Sequence, residues 1–176
     1  MDPTSAPAST HLIWSVLPSP VGDLLLTSGG GRLTGIFFQP HKSSHRHWDR
    51  AQQAGTEDDA AAVLADARRQ LGEYFGGVRT VFELPLAPAG TAFQLRVWSA
   101  LTEIPYGQTQ SYGKVAQRLG LIPGASRAVG LANGANPISI VVPCHRVIGA
   151  DGSLTGYGGG LDRKRLLLDL ERGSLF

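Results

Sequence analysis

One cysteine, Cys144, occurs in 176 residues, so neither an internal disulfide nor a cysteine-rich zinc site can hold this chain together. The fold must come from burial of apolar side chains. With 42% hydrophobic and 17% charged residues, there is enough to bury for one domain or two small ones. Around the cysteine the sequence runs Ile-Ser-Ile-Val-Val-Pro-Cys-His-Arg-Val-Ile, from Ile138 to Ile148. The β-branched residues Ile138, Ile140, Val141 and Val142 predict a short buried strand, which Pro143 stops for want of a backbone donor. Cys144 then sits at a rigid strand end.

A lone cysteine in a reduced protein is most often a small buried hydrophobe. It becomes a candidate nucleophile where its neighbours favour the thiolate. His145 and Arg146 follow it directly, one able to accept the proton and the other to favour the charge. Adjacent side chains of extended backbone point to opposite faces, so a relay from Cys144 to His145 has to bend at Pro143 or pass through a water. The N-terminal stretch lacks a basic start followed by an apolar run, and no span is long enough for a bilayer. An intracellular, cytoplasmic protein with a usable free thiol and no membrane partner is expected.

The net charge of +2 divides unevenly when the chain is cut near Gly90. Residues 1–90 carry seven Lys/Arg against nine Asp/Glu, a net of −2; residues 91–176 carry nine against five, a net of +4. The basic half is the half with the cysteine. That excess suits transient contact with phosphate, although a solvated surface explains +4 equally well.

Residues 1–10, rich in Pro, Ser, Thr and Ala, read as a disordered tail. Residues 11–90 read as an N-terminal α/β domain. Its β-meander has strands over Leu12–Leu17, Asp23–Thr27 and Leu33–Phe38, turned at Pro20–Gly22 and at the triple glycine Gly29–Gly31. His41, His45 and His47 lie close together but lack the spacing of a metal site, and a solvated loop is the better reading. A helix over Thr56–Gly76 is capped by Thr56, carries Glu57, Asp58 and Asp59 in its first turn, and buries a stripe of Val63, Leu64, Ala67, Leu71, Tyr74 and Phe75. A strand over Thr80–Leu84 follows, and the Pro85–Gly90 link is the domain boundary.

Residues 91–176 form the second domain. Thr91 and Gln94 make a capping box for a helix to Leu101 that buries Phe93, Val97, Trp98 and Leu101. Ser111 caps a short helix that Gly120 ends, and Ser126–Asn133 forms another; two short helices around a Gly/Pro turn fit a helix-turn-helix. On the second, Ala125, Ala128, Gly130 and Ala132 leave Arg127 as the one long polar side chain. Such a helix either packs tightly on a neighbour or approaches a partner closely. Gly149–Gly160 reads as a loop with an Asp151-Gly152 turn, followed by a helix over Leu161–Arg172 with Leu166, Leu167 and Leu170 on its apolar side. Read alone, Glu171 is surface charge.

Pro143-Cys144-His145-Arg146-Val147, with Thr155-Gly156-Tyr157-Gly158-Gly159-Gly160 downstream, resembles the signature of the O6-alkylguanine-DNA alkyltransferases. The resemblance is strong over Phe93–Glu171 and traceable earlier, where Ser19-Pro20-Val21-Gly22 is similar to the family's N-terminal hairpin. It implies an α+β fold: a ribonuclease H-like N-terminal domain and a mostly helical C-terminal domain with a winged helix-turn-helix-like motif. It further implies single-turnover transfer of an alkyl group from O6-alkylguanine, and O4-alkylthymine, in double-stranded DNA to Cys144, by a monomer with no cofactor and no metal. Glu171 becomes the carboxylate orienting His145, which draws the thiol proton through a water. Tyr112 and Tyr157 wall the base pocket, and backbone groups of Val147 and Gly158 read the guanine edge. Arg127 fills the space of a flipped nucleotide, Ala125, Ala128 and Gly130 permit minor-groove approach, and Asn136 pins the turn before the cysteine. A cysteine hydrolase using Cys144, His145 and Glu171, a DNA-binding regulator and a non-catalytic alkyltransferase-like protein are the competing classes.

Overall fold

The computed structural model describes residues 12–39, 52–53 and 59–173. The N-terminal tail, the His41, His45 and His47 cluster and the Thr56 cap with Glu57 and Asp58 lie outside the described residues. Three strands form the expected meander: β1 (Ile13–Leu17), β2 (Leu24–Gly29) and β3 (Arg32–Phe38). β1 and β2 pair antiparallel from Ile13↔Ser28 to Leu17↔Leu24, and β2 pairs antiparallel with β3. A two-residue β4 (Gln52–Gln53) adds parallel to β1, giving the order β3-β2-β1-β4. Gly30 and Gly31 both take positive φ, 57° and 69°, as a tight hairpin with the native strand twist requires.

Helix α1 (Asp59–Phe75) covers the sheet with Leu64, Ala67, Leu71 and Tyr74, all buried. No strand forms over Thr80–Leu84. The backbone of Glu83 is taken instead by the buried amide of Gln70, whose Nε2 donates to Glu83 O at 3.0 Å while Glu83 N donates to Oε1 at 2.8 Å. Sheet-like contact starts later, where Leu33 N donates to Pro85 O and Ala87 N to Leu33 O. Proline keeps its acceptor although it has no donor, so this edge can still close the layer.

The second half begins with α2 (Ala92–Thr102), whose capping box at Thr91 and Gln94 is formed from both sides. β5 (Gln110–Ser111) leads into α3 (Tyr112–Arg118), capped by the Ser111 hydroxyl, and α4 (Ser126–Gly134) packs against α3. Trp98 of α2 donates its indole N–H to Ala132 O of α4 at 2.8 Å, buried. β6 (Val147–Ile148) pairs parallel with β5, and α5 (Leu161–Glu171) closes the chain. The α5 stripe is not the expected one: Leu167, Leu168 and Leu170 are buried together with Lys164, while Leu166 is exposed. Lys164 can be buried because its ammonium reaches carbonyl oxygens, as described below.

The β-branched run before the cysteine is a compact turn and not a strand. Ile140 has φ of 73° inside a three-residue turn closed by Val141 N to Ser139 O at 2.9 Å. A β-branched residue in that region is strained by about 1–3 kcal/mol. Two contacts hold the turn. Ile36 N of β3 donates to Pro137 O and Ser139 N to Ile36 O, so the N-terminal sheet supports the segment; Asn136 ties its two ends together. One hydrophobic core runs from Leu26 and Ile36 through Val97 and Leu101 to Val142 and Leu167.

Candidate active site

Asn136 holds the approach to the cysteine. Its Nδ2 donates to Val142 O at 2.8 Å and its Oδ1 accepts from Ile138 N at 3.0 Å. Pro143 then takes φ −81°, ψ 61°, with Cys144 N donating to Val142 O at 2.8 Å. The chain leaves this second tight turn as a 3-10 segment, Cys144–Arg146. That geometry answers the problem of adjacent side chains: Cys144 and His145 are brought round by a turn, where extended backbone would splay them apart.

Cys144 is 4% exposed. Burial pushes its thiol up, while a hydrogen bond from Asn136, the charge of Lys164 and the Tyr157 hydroxyl favour the thiolate. His145 is fully buried, with Nε2 2.7 Å from Glu171 Oε1. Nδ1 has no hydrogen-bond partner among the described residues. Burial pushes the imidazole below its ordinary value against the pull of Glu171, so the ring is neutral at pH 7.

Glu171, at the end of α5, has a side chain with no exposed surface. Burial would raise its pKa, but the hydrogen bonds from His145 and Arg146 hold it at about 2. Its Oε1 accepts from Tyr74 Oη at 2.8 Å, His145 Nε2 and Arg146 Nη2 at 2.9 Å; its Oε2 accepts from Arg146 Nε at 2.9 Å and Gly107 N at 3.0 Å. An ionised carboxylate only accepts. His145 therefore carries its proton on Nε2, and Nδ1 is left as the basic lone pair.

Arg146 does not serve the thiol, as its position in sequence suggested. It grips both Glu171 oxygens, donates Nη1 to Ile104 O at 2.6 Å and lies over the Tyr106 ring. The cation near the sulfur is Lys164. Its Nζ donates to Val147 O at 2.6 Å and Thr155 O at 3.0 Å and sits 5.8 Å and 5.9 Å from the centres of the Tyr112 and Tyr157 rings. Tyr112 Oη also donates to Thr155 O, at 3.0 Å.

A cleft of about 710 Å³ opens on Cys144, walled by Asn133, Asn136, Tyr157, Gly158 and, from the N-terminal sheet, Phe38. Phe38 meets Tyr157 edge to face at 5.7 Å. A methyl group at Gly158 would meet nothing nearer than Gly134 O at 3.7 Å, so this wall is main chain with space in front of it. The predicted site residues thus divide in two. Cys144, His145, Glu171, Asn136, Tyr112, Val147, Tyr157 and Gly158 converge on one centre. Arg127 and Ala128 are exposed on α4, with Ala125 and Gly130 half-buried, and Arg127 makes no hydrogen bond or ion pair among the described residues. Tyr74, the Gly107 amide, Lys164 and the Arg146 pairing were not readable as site groups. Tyr74 carried only the signal of a polar tip on an apolar stripe.

Two family models match the chain: the ribonuclease-like domain of 6-O-methylguanine DNA methyltransferase over residues 12–88, and its DNA binding domain over residues 92–173. The methylated-DNA–protein-cysteine methyltransferase of Mycobacterium tuberculosis strain H37Rv is 51% identical over 161 residues, covering 90% of this chain and 92% of the relative. The protein of that name from Methanosarcina acetivorans is 47% identical over 160 residues, covering 91% and 98%. The crystal structure of the M. tuberculosis O6-methylguanine methyltransferase superposes with a TM-score of 0.81 at 46% identity, covering 94% of this chain and 95% of that one. A structure of the M. tuberculosis protein in complex with DNA gives 0.78 at 48%, covering 93% and 94%.

The depressed Glu171 pKa has a sign. A carboxyl ionising near 2 when folded and near 4.5 when unfolded contributes stability that is complete above about 4.5 and is lost as pH falls through about 2, worth about 3 kcal/mol. Glu171→Gln removes that pH dependence and leaves Arg146 unpaired, so urea unfolding at pH 7 should show a loss of about 3–5 kcal/mol. The gap to wild type should narrow at pH 3; parallel curves would contradict the charged, buried carboxylate.

Proposed function

The chain belongs to the 6-O-methylguanine DNA methyltransferase family, and we propose from that premise that it repairs DNA by moving an alkyl group from O6 of guanine, or O4 of thymine, to Cys144 Sγ. The observation that carries this reading is the lone cysteine in a cleft, followed directly by a histidine whose Nε2–H is held by a buried carboxylate and whose Nδ1 has no partner among the described residues. The thiol proton passes to His145 Nδ1 through a water. The sulfur then attacks the alkyl carbon in line, an S–C bond forms, and the C–O bond breaks with its electron pair leaving on the base. The base leaves as an anion and takes up the one proton that the thiol gave to His145, returned through the water, so the thiol proton ends on the base and His145 is neutral again. Glu171 stabilises the imidazolium that forms. Lys164, Asn136 and Tyr157 favour the thiolate in surroundings that otherwise disfavour it.

A base inside a duplex cannot reach a cysteine that is 4% exposed, so the nucleotide turns out of the stack. α4 is the element suited to the groove: small residues allow close approach, Arg127 projects from it unpaired, and the half that carries it is basic by +4. A relative's structure in complex with DNA supports the same partner. His145, Glu171 and the carboxylate's other donors complete the relay within one copy, so the unit of action is proposed to be a monomer. Among the described residues no group of three or more His, Cys, Asp or Glu could hold a metal; the His41, His45 and His47 cluster lies outside them, and the reaction is proposed as metal-free. The hydrolase reading is disfavoured, because curated relatives at about half identity are methyltransferases.

A thioether is a very poor leaving group and no second thiol exists to remove it. Chelator-treated protein mixed with excess alkylated oligonucleotide should therefore gain one alkyl group by intact mass, on the Cys144 peptide, and stop at one equivalent. Continued turnover would reject the reading. For flipping, Arg127→Ala should slow reaction with alkylated duplex by about ten- to hundredfold, reflecting a penalty on the order of a few kcal/mol. Its rate with free O6-alkylguanine should stay near wild type. An unchanged ratio of the two rates, measured at one salt concentration, would take Arg127 out of flipping.

A further inference from the structure

Tyr74 lies on α1, in the N-terminal half, 97 residues from the carboxylate that receives its hydroxyl. Its ring is fully buried among Phe75, Phe82 and Tyr106, with centroids at 5.4 Å, 5.4 Å and 6.0 Å. A phenylalanine would fill that space equally well, and a buried hydroxyl costs free energy unless it is bonded. The phenol's one hydrogen bond is to Glu171 Oε1, the oxygen that also faces His145 Nε2 at 2.7 Å. We propose that Tyr74 is a positioning residue for alkyl transfer, through which the N-terminal half sets the orientation and the residual charge of the Glu171 oxygen that serves His145. This rests on the reading of Cys144, His145 and Glu171 given above.

Five donors meet a carboxylate with about four lone-pair sites, so its negative charge is shared among competitors. Arg146 and Gly107 fix Oε2, and Arg146 and Tyr74 leave Oε1 to His145 from two sides. Burial and the adjacent carboxylate push the Tyr74 hydroxyl well above its usual value, so it remains a donor throughout. The groups facing His145 are Glu171 from α5, Arg146 from its own turn and Lys164 from α5. Those facing Glu171 are His145, Arg146, Tyr74 from α1 and Tyr106 from the turn before β5. Removing the phenol O–H returns charge to Oε1 and strengthens its hold on imidazolium. His145 then keeps its proton to higher pH, and a protonated ring cannot act as the base.

The test is Tyr74→Phe in the full chain, read as the pH profile of single-turnover alkylation by free O6-alkylguanine, alongside duplex affinity and thermal midpoint. The plateau rate should fall about fivefold, because the carboxylate that orients His145 loses one of the contacts fixing it, the size expected for one neutral hydrogen bond to a charge that keeps its other donors. The acid limb should move to higher pH, and duplex affinity should not change. In a Glu171→Gln background the same substitution should have no further effect, because its route runs through that carboxylate. Should Tyr74→Phe fold poorly, 3,5-difluorotyrosine at position 74, a stronger donor of nearly equal size, should move the acid limb the opposite way. An unmoved limb with either replacement, or full additivity with Glu171→Gln, overturns the proposal. Wild-type protein that transfers no alkyl group would instead overturn the function on which it rests.

Discussion

A carboxylate with no exposed surface is tolerated only when hydrogen bonds replace the water it has lost, and Glu171 has five. Its donors come from separate parts of the chain: α1, the turn before β5, and the 3-10 turn after the cysteine. None reaches it until the helices and the sheet have packed. The site and the interface between the two halves are therefore one structure. Loss of Arg146 would leave the carboxylate's charge uncompensated in a buried site, where it is most costly. The same arrangement fixes the histidine. Because Glu171 is charged and can only accept, it dictates which ring nitrogen bears the proton, and the other keeps its lone pair free.

Backbone geometry supplies the second constraint. Ile140 at φ of 73° is unfavourable locally, and it persists because Asn136 and Ile36 bind both ends of the segment. What the strain achieves is placement. Cys144 and His145 leave the turn close together, the thiol at the cleft and the imidazole directed inward to Glu171. The three-residue span between Ile140 and Cys144 is too short to absorb an error elsewhere. Asn136 also touches the sulfur, so one amide shapes the turn and favours the reactive form of the group it delivers.

Local signals were legible. The meander, the Thr91 capping box, the Ser111 cap and the paired helices α3 and α4 each follow from short-range chemistry and appear where expected. Cys144 and His145 stood out because their neighbourhood is rare. The failures share a different cause. Ile138–Val142 has the composition of a strand, but Asn136 and Ile36 claim its backbone groups; Thr80–Leu84 loses its ladder to the side chain of Gln70. Tyr74 read as a core aromatic and Lys164 gave no signal, since the groups that each one reaches lie elsewhere in the sequence. Arg146 was misassigned for the same reason: its neighbour in sequence is Cys144, whereas its partner in space is Glu171.

The central claim is that burial keeps His145 neutral while the carboxylate fixes its proton on Nε2, leaving Nδ1 to receive the proton of Cys144. Nitrogen-15 NMR of histidine-labelled protein at pH 7, with the His145 signals identified by their loss in His145→Gln, reads that state directly. The account predicts a neutral ring protonated at Nε2 alone. A ring protonated at Nδ1, or an imidazolium at pH 7, would contradict it.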